Sequence, residues 1–97
     1  MKYVEISNVP KGANVLIARD NGTGTVTKED EIDLYQYDGD GQIELSYENS
    51  EDVVIRVRCA NEIGGYWRPL EVLTKDIVPG EAHLVEMEED FYSNPKK

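Results

Sequence analysis

Apolar and polar residues alternate along most of the chain with a period of two, which is typical of β-strands with one buried and one exposed face. The clearest alternation covers residues 53–59, whose apolar face carries Val53, Ile55, Val57 and Cys59. Other strand-like runs occupy residues 3–7, 13–19, 32–35, 42–47, 70–74 and 83–87. Helical spacing is missing, except that the polar start of residues 27–34 is typical of a short helical turn. The pattern predicts an all-β protein.

Turn-forming residues separate these runs at intervals of roughly ten residues. The breaks are rich in proline, glycine, asparagine and aspartate: Asn8–Gly12, Asp20–Gly22, Asp38–Gly41, Asn49–Ser50 and Val78–Gly80. Asn21-Gly22 is a hairpin signal because both residues tolerate positive φ, and Gly22–Thr27 is then predicted as a short, threonine-rich strand. Such spacing is typical of a sandwich. We predict a single small antiparallel β-sandwich of about seven strands over residues 1–87, followed by an extended C-terminal arm over residues 88–97.

The net charge of the chain limits the kinds of partner that it is expected to bind. Its 97 residues, one domain's length, carry 20 acidic and 10 basic side chains, a net charge of −10. Between Lys28 and Asp52 only Lys28 is basic, so most of the excess charge lies in that stretch. Nucleic-acid binding is disfavoured, because phosphate contacts need a basic surface. The acidic stretch has two interpretations: it keeps the protein soluble, or it forms a docking face for a basic partner.

The start of the chain and its cysteine content indicate a cellular setting. The first residues alternate and lack the continuous apolar segment of a secretory signal, so we expect folding in the cytosol. No apolar run approaches the roughly 18 residues that cross a bilayer, and no membrane partner is expected. Cys59 is the only cysteine, so an intrachain disulfide and a cysteine metal cluster are both excluded.

The residue types needed for catalysis lack the neighbours that would activate them. His83 is the only histidine, and the serines lie in no nucleophile-elbow context. Cys59 shares a face with three apolar residues and is expected to be a buried, inert thiol. We therefore expect a non-enzymatic protein without a cofactor.

The Asp38–Gly41 turn resembles part of a calcium-binding loop, and its register tests that interpretation. If Gly41 were the invariant glycine of an EF-hand loop, Gln36 would occupy position one and Tyr47 would replace the bidentate glutamate at position twelve. The EF-hand interpretation fails. A calcium site of another type remains an alternative to a plain Asp/Gly turn between strands.

Arginine and aromatic side chains are the best candidates for protein contacts, because these residue types anchor most interfaces. Arg56 and Arg58 project together from the face opposite the apolar one. The Trp67-Arg68 pair either forms an exposed aromatic platform or places its indole as a cap on the core. The arm mixes acidic residues with aromatic ones, which suits docking on another chain. Six residues are the resulting candidates for protein interaction: Arg56, Arg58, Trp67, Arg68, Phe91 and Tyr92.

Several short motifs resemble those of carboxypeptidase regulatory-like and transthyretin-like β-sandwiches. Residues 9–15 resemble their opening G-A-x-V strand, and residues 38–45 their D-x-D-G hairpin. Residues 53–58, followed by Gly65-Tyr66, resemble their central strand and G-Y turn, and residues 79–81 resemble the approach to the last strand. The resemblance implies a prealbumin-like, Ig-like sandwich used for adhesion, scaffolding or display, with no catalytic residues.

Two functional hypotheses follow. The first is a structural protein of a phage particle, either a head decoration (cement) protein or a neck or tail accessory. Such a protein would dock on the major capsid or tail protein, be assembled in the host cytoplasm and reside in the virion, and a homo-oligomer is compatible with it. The second is a module that binds carbohydrate or calcium through the Asp38–Gly41 turn and the loop around Tyr66–Arg68.

Overall fold

The computed structural model of the chain describes residues 1–60 and 66–90, and in them two β-sheets face each other. The strands are β1 (Lys2–Ser7), β2 (Asn14–Arg19), β3 (Glu31–Gln36), β4 (Gln42–Tyr47), β5 (Val53–Arg58), β6 (Tyr66–Trp67), β7 (Leu70–Leu73), β8 (Ala82–Glu86) and β9 (Glu89–Asp90). Two 3-10 turns cover Lys28–Asp30 and Thr74–Asp76. The prediction of a small all-β sandwich of about seven strands is confirmed. Within the described ranges, no helix is long and apolar enough to cross a membrane.

The two sheets have the strand orders β4-β1-β8 and β3-β2-β5-β7, and β6 pairs with β9 in a small third sheet. One pairing departs from the antiparallel prediction, because β8 runs parallel to β1. The connection from β7 passes a turn whose Gly80 N–H donates to the carbonyl of Met1 over 2.9 Å. β8 therefore starts at the same end of the sheet as β1. Two strands that start at the same end of a sheet and lie side by side run parallel. A tight hairpin cannot join such a pair, and here the chain reaches β8 by crossing over from β7 in the other sheet.

The core lies between the inner faces of the two sheets and contains mostly β-branched side chains. Its largest members with no more than traces of exposure are Val4, Ile6, Val15, Ile55, Val57 and Met87. Val4 and Ile6 on β1, and Ile55 and Val57 on β5, occupy alternate positions, as the period of two requires. Each such side chain contributes roughly 1.5–3 kcal/mol to folding when it leaves water.

The strand predicted at Gly22–Thr27 does not form, and this prediction is wrong. The segment is a loop in which the Asn21 Oδ1 atom accepts hydrogen bonds from the Thr23 N–H (2.9 Å) and hydroxyl (2.6 Å). The Asn21 side-chain amide donates to the carbonyl of Thr25 over 2.9 Å. Short polar side chains satisfy the backbone locally in this way and compete with a β-ladder.

The helical turn expected after this loop is confirmed as the 3-10 turn Lys28–Asp30. Thr27 donates its hydroxyl to the Asp30 carboxylate over 2.9 Å, and the Asn21 amide donates to the same carboxylate over 2.7 Å. These two hydrogen bonds, the first more than the second, lower the pKa of Asp30 because they favour its charged form. The loop of residues 20–27 is therefore fastened at both ends.

Tyr47, half-buried against the core, makes the stability of the fold sensitive to alkaline pH. Burial raises the pKa of Tyr47 to about 12, with smaller contributions from Tyr35 and Glu51. In the unfolded chain the phenol titrates near pH 10, so above that pH the unfolded state loses its proton first. We expect the contribution of Tyr47 to the free energy of unfolding to be constant below about pH 10 and to fall between about pH 10 and 12.

Urea unfolding at a series of pH values, with Tyr47→Phe as the comparison, measures this effect. The phenylalanine variant should show a shallower alkaline loss of stability than the wild type. Parallel profiles for the two proteins would show that Tyr47 is not responsible.

Candidate interaction surface

The outer face of the four-stranded sheet is divided into a covered half and an open half. Ala18 and Val54 are paired neighbours on this face, and both are buried although they point away from the core. The loop of residues 20–27 lies over them, and the Arg56 Nη2 atom donates to the carbonyl of Gly24 over 3.0 Å. The loop thus closes one half of the face and leaves the other half to solvent.

The open half forms a groove of about 470 Å³. Its floor follows a single cross-strand row in which each residue is the direct neighbour of the next: Leu34 on β3, Leu16 on β2, Arg56 on β5 and Glu71 on β7. Arg58 and Pro69 line the groove one step further along the strands. We call this surface the arginine groove. It combines an apolar floor with two guanidinium groups, in a protein whose net charge is −10.

The two arginines of the groove differ in how they are held. The Arg56 Nε atom donates to the Glu71 carboxylate over 2.8 Å, and the contact with Gly24 holds its other end. Arg58 is exposed and has no ion-pair partner among residues 1–60 and 66–90. The guanidinium group of Arg56 is therefore held by contacts within the fold, whereas that of Arg58 can bind a carboxylate of a partner.

An exposed apolar side chain extends the groove onto the edge strand β3. Leu34 lines the groove and is 61% exposed. Ile32 is 59% exposed but lies at the register shift of the β2–β3 pair, outside the groove. Tyr35, the residue after Leu34, packs against the core instead. An apolar side chain exposed on a sheet face beside a further leucine is typical of a contact surface, and the arginine groove therefore has the composition of an interface centre with a polar edge.

The structure places the six sequence-predicted interaction residues differently. Arg56 and Arg58 meet in the arginine groove. Arg68 is exposed and lies 3.5 Å from the Glu88 carboxylate, an ion pair that solvent screens strongly. Trp67 is half-buried and packs against the core, which matches the interpretation of the indole as a cap. Two further predictions, Phe91 and Tyr92, lie outside the described residues.

Sequence reasoning missed the partners of the two arginines. Leu16, Leu34 and Glu71 come from three separate segments and meet only through the strand order β3-β2-β5-β7. One signal was present in the sequence: residues 15–18 are all apolar, so β2 needed a second apolar face beyond the one toward the core.

The side chains considered above for metal binding or catalysis lie in settings that favour a structural role. Asp38 lies 3.5 Å from the Lys11 ammonium group, and the turn that follows is fastened by the hydroxyl of Tyr37. Among the residues that the structure covers, no group of three or more His, Cys, Asp and Glu side chains is placed to hold a metal ion. Cys59 is half-buried rather than buried, and burial raises the pKa of its thiol, which favours the weakly nucleophilic protonated form.

A scan against models of protein families, a search of curated proteins and a search of solved structures each found no match to the chain.

Proposed function

We propose that this protein is a non-catalytic structural accessory of a phage particle, which docks through its arginine groove on another protein of the virion. The observation that carries the proposal is Arg58, which has no ion-pair partner among residues 1–60 and 66–90 and lies beside the exposed Leu34 on a face that these residues leave open. The carboxypeptidase regulatory-like or transthyretin-like character of the sandwich belongs to the same proposal, since such sandwiches serve as scaffolds and display modules.

The physical case for docking rests on what the groove provides. The apolar floor around Leu16 and Leu34 supplies area that a partner can remove from water. Arg58 supplies a directional, charge-assisted hydrogen bond to a carboxylate, and arginine is among the residues that dominate binding energy at interface centres. Arg56 and its carboxylate partner Glu71 are already ordered in the free protein, so this part of the surface loses little side-chain entropy on binding.

The size, charge and groove of the protein support a role in the virion. A small sandwich with a strongly acidic composition and an apolar docking groove suits attachment to a shell built from another chain. The expected partner is the major capsid or tail protein, and the expected location is the virion after assembly in the host cytoplasm. The carbohydrate- or calcium-binding alternative has weaker support, because Trp67 packs against the core and Tyr37 fastens the Asp38–Gly41 turn.

Incorporation into particles tests the proposal. In a genome that encodes Arg58→Glu, purified particles should contain less than about a tenth of the normal copies, which corresponds to a loss of at least about 1.4 kcal/mol. The matched control is Lys28→Glu, which makes the same charge change in the exposed 3-10 turn outside the groove. It should leave the copy number unchanged in quantitative mass spectrometry.

Two results would contradict the proposal. Particles from the wild-type genome that lack the chain would exclude the virion role. Equal incorporation of the Arg58→Glu and Lys28→Glu proteins would exclude the arginine groove as the docking surface.

A further inference from the structure

The outer face of the three-stranded sheet, opposite the arginine groove, has the reverse charge. Glu5 on β1 is directly paired with Glu44 on β4, so two carboxylates stand opposite each other across an antiparallel pair. Like charges directly opposite each other destabilise a sheet. Glu86 lies on the same face, and none of these three carboxylates has an ion-pair partner among residues 1–60 and 66–90.

Exposed apolar side chains lie directly beside these carboxylates. Leu84 on β8 is the register neighbour of Glu5 and is 70% exposed. Tyr3 on β1 points to the same side and is 42% exposed. We call this surface the glutamate face. It combines apolar area with carboxylate groups, as the arginine groove combines apolar area with guanidinium groups.

The two surfaces complement each other but lie on opposite sides of the sandwich, so one molecule cannot join them. We propose that the arginine groove of one copy receives the glutamate face of a second copy, so that copies of this chain associate head to tail. This inference rests on the proposed function in taking the arginine groove as a docking surface, and it names the occupant. Arg58 would donate hydrogen bonds to the carboxylate of Glu5 or Glu44, while Leu84 and Tyr3 would cover the floor at Leu16 and Leu34.

The symmetry of such a contact determines what it builds. A bound pair still has one free groove, on one copy, and one free face, on the other, so the contact is heterologous and produces a ring or an open row. Repeated copies along a particle surface are a natural product of this arrangement. The net charge of −10 opposes association at long range, but at physiological salt the screening length is about 8 Å, so short-range pairs retain most of their effect.

Sedimentation velocity of the full-length protein at physiological salt, with concentrations up to ~1 mM, tests the inference. The wild type should form species larger than a dimer as its concentration rises. Arg58→Glu should be monomeric, because its groove repels the glutamate face. The double variant Glu5→Lys/Glu44→Lys should also be monomeric, although it reduces the net negative charge by four and would associate more strongly if only overall charge mattered.

A charge reversal on both surfaces makes the test specific. The triple variant Arg58→Glu/Glu5→Lys/Glu44→Lys restores opposite charges across the contact and should associate again, and Lys28→Glu should behave as the wild type does. Circular dichroism confirms that each variant is folded. Any one of three results would overturn the inference: a wild type that stays monomeric, a triple variant that stays monomeric, or an assembly that stops at a dimer and persists in the Glu5→Lys/Glu44→Lys variant.

The outcome is independent of the particle experiment. A monomeric wild type that is still incorporated through Arg58 would refute head-to-tail association and leave the proposed function intact. Head-to-tail association of a chain that is missing from particles would refute the virion role alone.

Discussion

Replacing Thr74 with valine is expected to lower the free energy of unfolding by about 2–4 kcal/mol, because it removes a fully buried hydroxyl from between two backbone groups. The Thr74 hydroxyl donates to the carbonyl of Glu51 over 3.0 Å and accepts the N–H of Val53 over 2.9 Å. Valine has nearly the same shape, so the variant leaves no large cavity. It does leave the buried N–H of Val53 without this partner, at about 1–3 kcal/mol, and the part-buried carbonyl of Glu51 without its hydrogen bond, at about 1 kcal/mol.

The position of Thr74 explains why the effect should be large. Its own carbonyl accepts both the ammonium group of Lys2 over 2.9 Å and the N–H of Ile77 over 3.0 Å. Lys2 belongs to the three-stranded sheet and Val53 to the four-stranded sheet, so Thr74 connects the two sheets at one end of the sandwich. A domain of this length has a total stability of roughly 5–15 kcal/mol, and the expected loss is a substantial part of it.

Thr74→Ser is the control that separates the hydroxyl from the rest of the side chain. Serine keeps both hydrogen bonds and loses one methyl group, which costs about 1 kcal/mol. Urea unfolding should therefore rank the wild type first, Thr74→Ser second and Thr74→Val last. If the serine variant is as unstable as the valine variant, packing of the methyl group, and not the hydroxyl, stabilises this site.

The sequence predicts best where one segment alone contains the needed information. Residues 53–58 alternate apolar inward and arginine outward, and β5 has that orientation in the structure. The loop at Gly22–Thr27 was predicted wrongly because threonine favours strands by its shape but also hydrogen-bonds to nearby backbone groups. Local hydrogen bonds from Asn21 decide between the two conformations there, and the propensity of threonine does not reveal that outcome.

In the candidate site, the sequence predicts that the two arginines lie together but does not predict their neighbours. The reason differs from that at the loop. Arg56 and Arg58 are adjacent on one strand face, so alternation alone places them together. Leu34 reaches them because β3 pairs with β2, and Glu71 does so because β7 pairs with β5. Strand order depends on the whole chain, and on an edge strand such as β3 both faces are partly exposed, so alternation does not say which side chains point outward.

Replacing Tyr37 with phenylalanine is expected to lower the free energy of unfolding by about 2–3 kcal/mol. Tyr37 follows β3, and β4 begins at Gln42 in the opposite sheet, so this segment carries the chain from one sheet to the other. Tyr37 is 8% exposed, and its phenol oxygen accepts the N–H of Gly41 over 2.6 Å and that of Gln42 over 2.8 Å. The same hydroxyl donates to the carbonyl of Gln42 over 3.1 Å.

The backbone of Tyr37 fixes the other side of the crossing. Its N–H donates to the carbonyl of Ala13 over 2.7 Å, and its carbonyl accepts the N–H of Gly12 over 2.8 Å. The turn also wraps so closely around the phenol that a Cβ atom at Gly39 would lie 2.7 Å from its oxygen. Phenylalanine preserves the ring packing and these backbone bonds, so the loss isolates what the hydroxyl contributes to the turn.

Tyr35→Phe is the matched control, since Tyr35 lies two residues earlier, on β3, is half-buried, and has no side-chain hydrogen bond to another residue in the described part of the chain. We expect it to change stability by less than about 0.5 kcal/mol. Amide hydrogen exchange gives a local readout: the Gly41 and Gln42 N–H groups should exchange at least about tenfold faster in Tyr37→Phe, because their acceptor is gone. Unchanged exchange at both amides would show that water replaces the hydroxyl fully, and the turn would then owe its shape to the backbone bonds at Ala13 and Gly12.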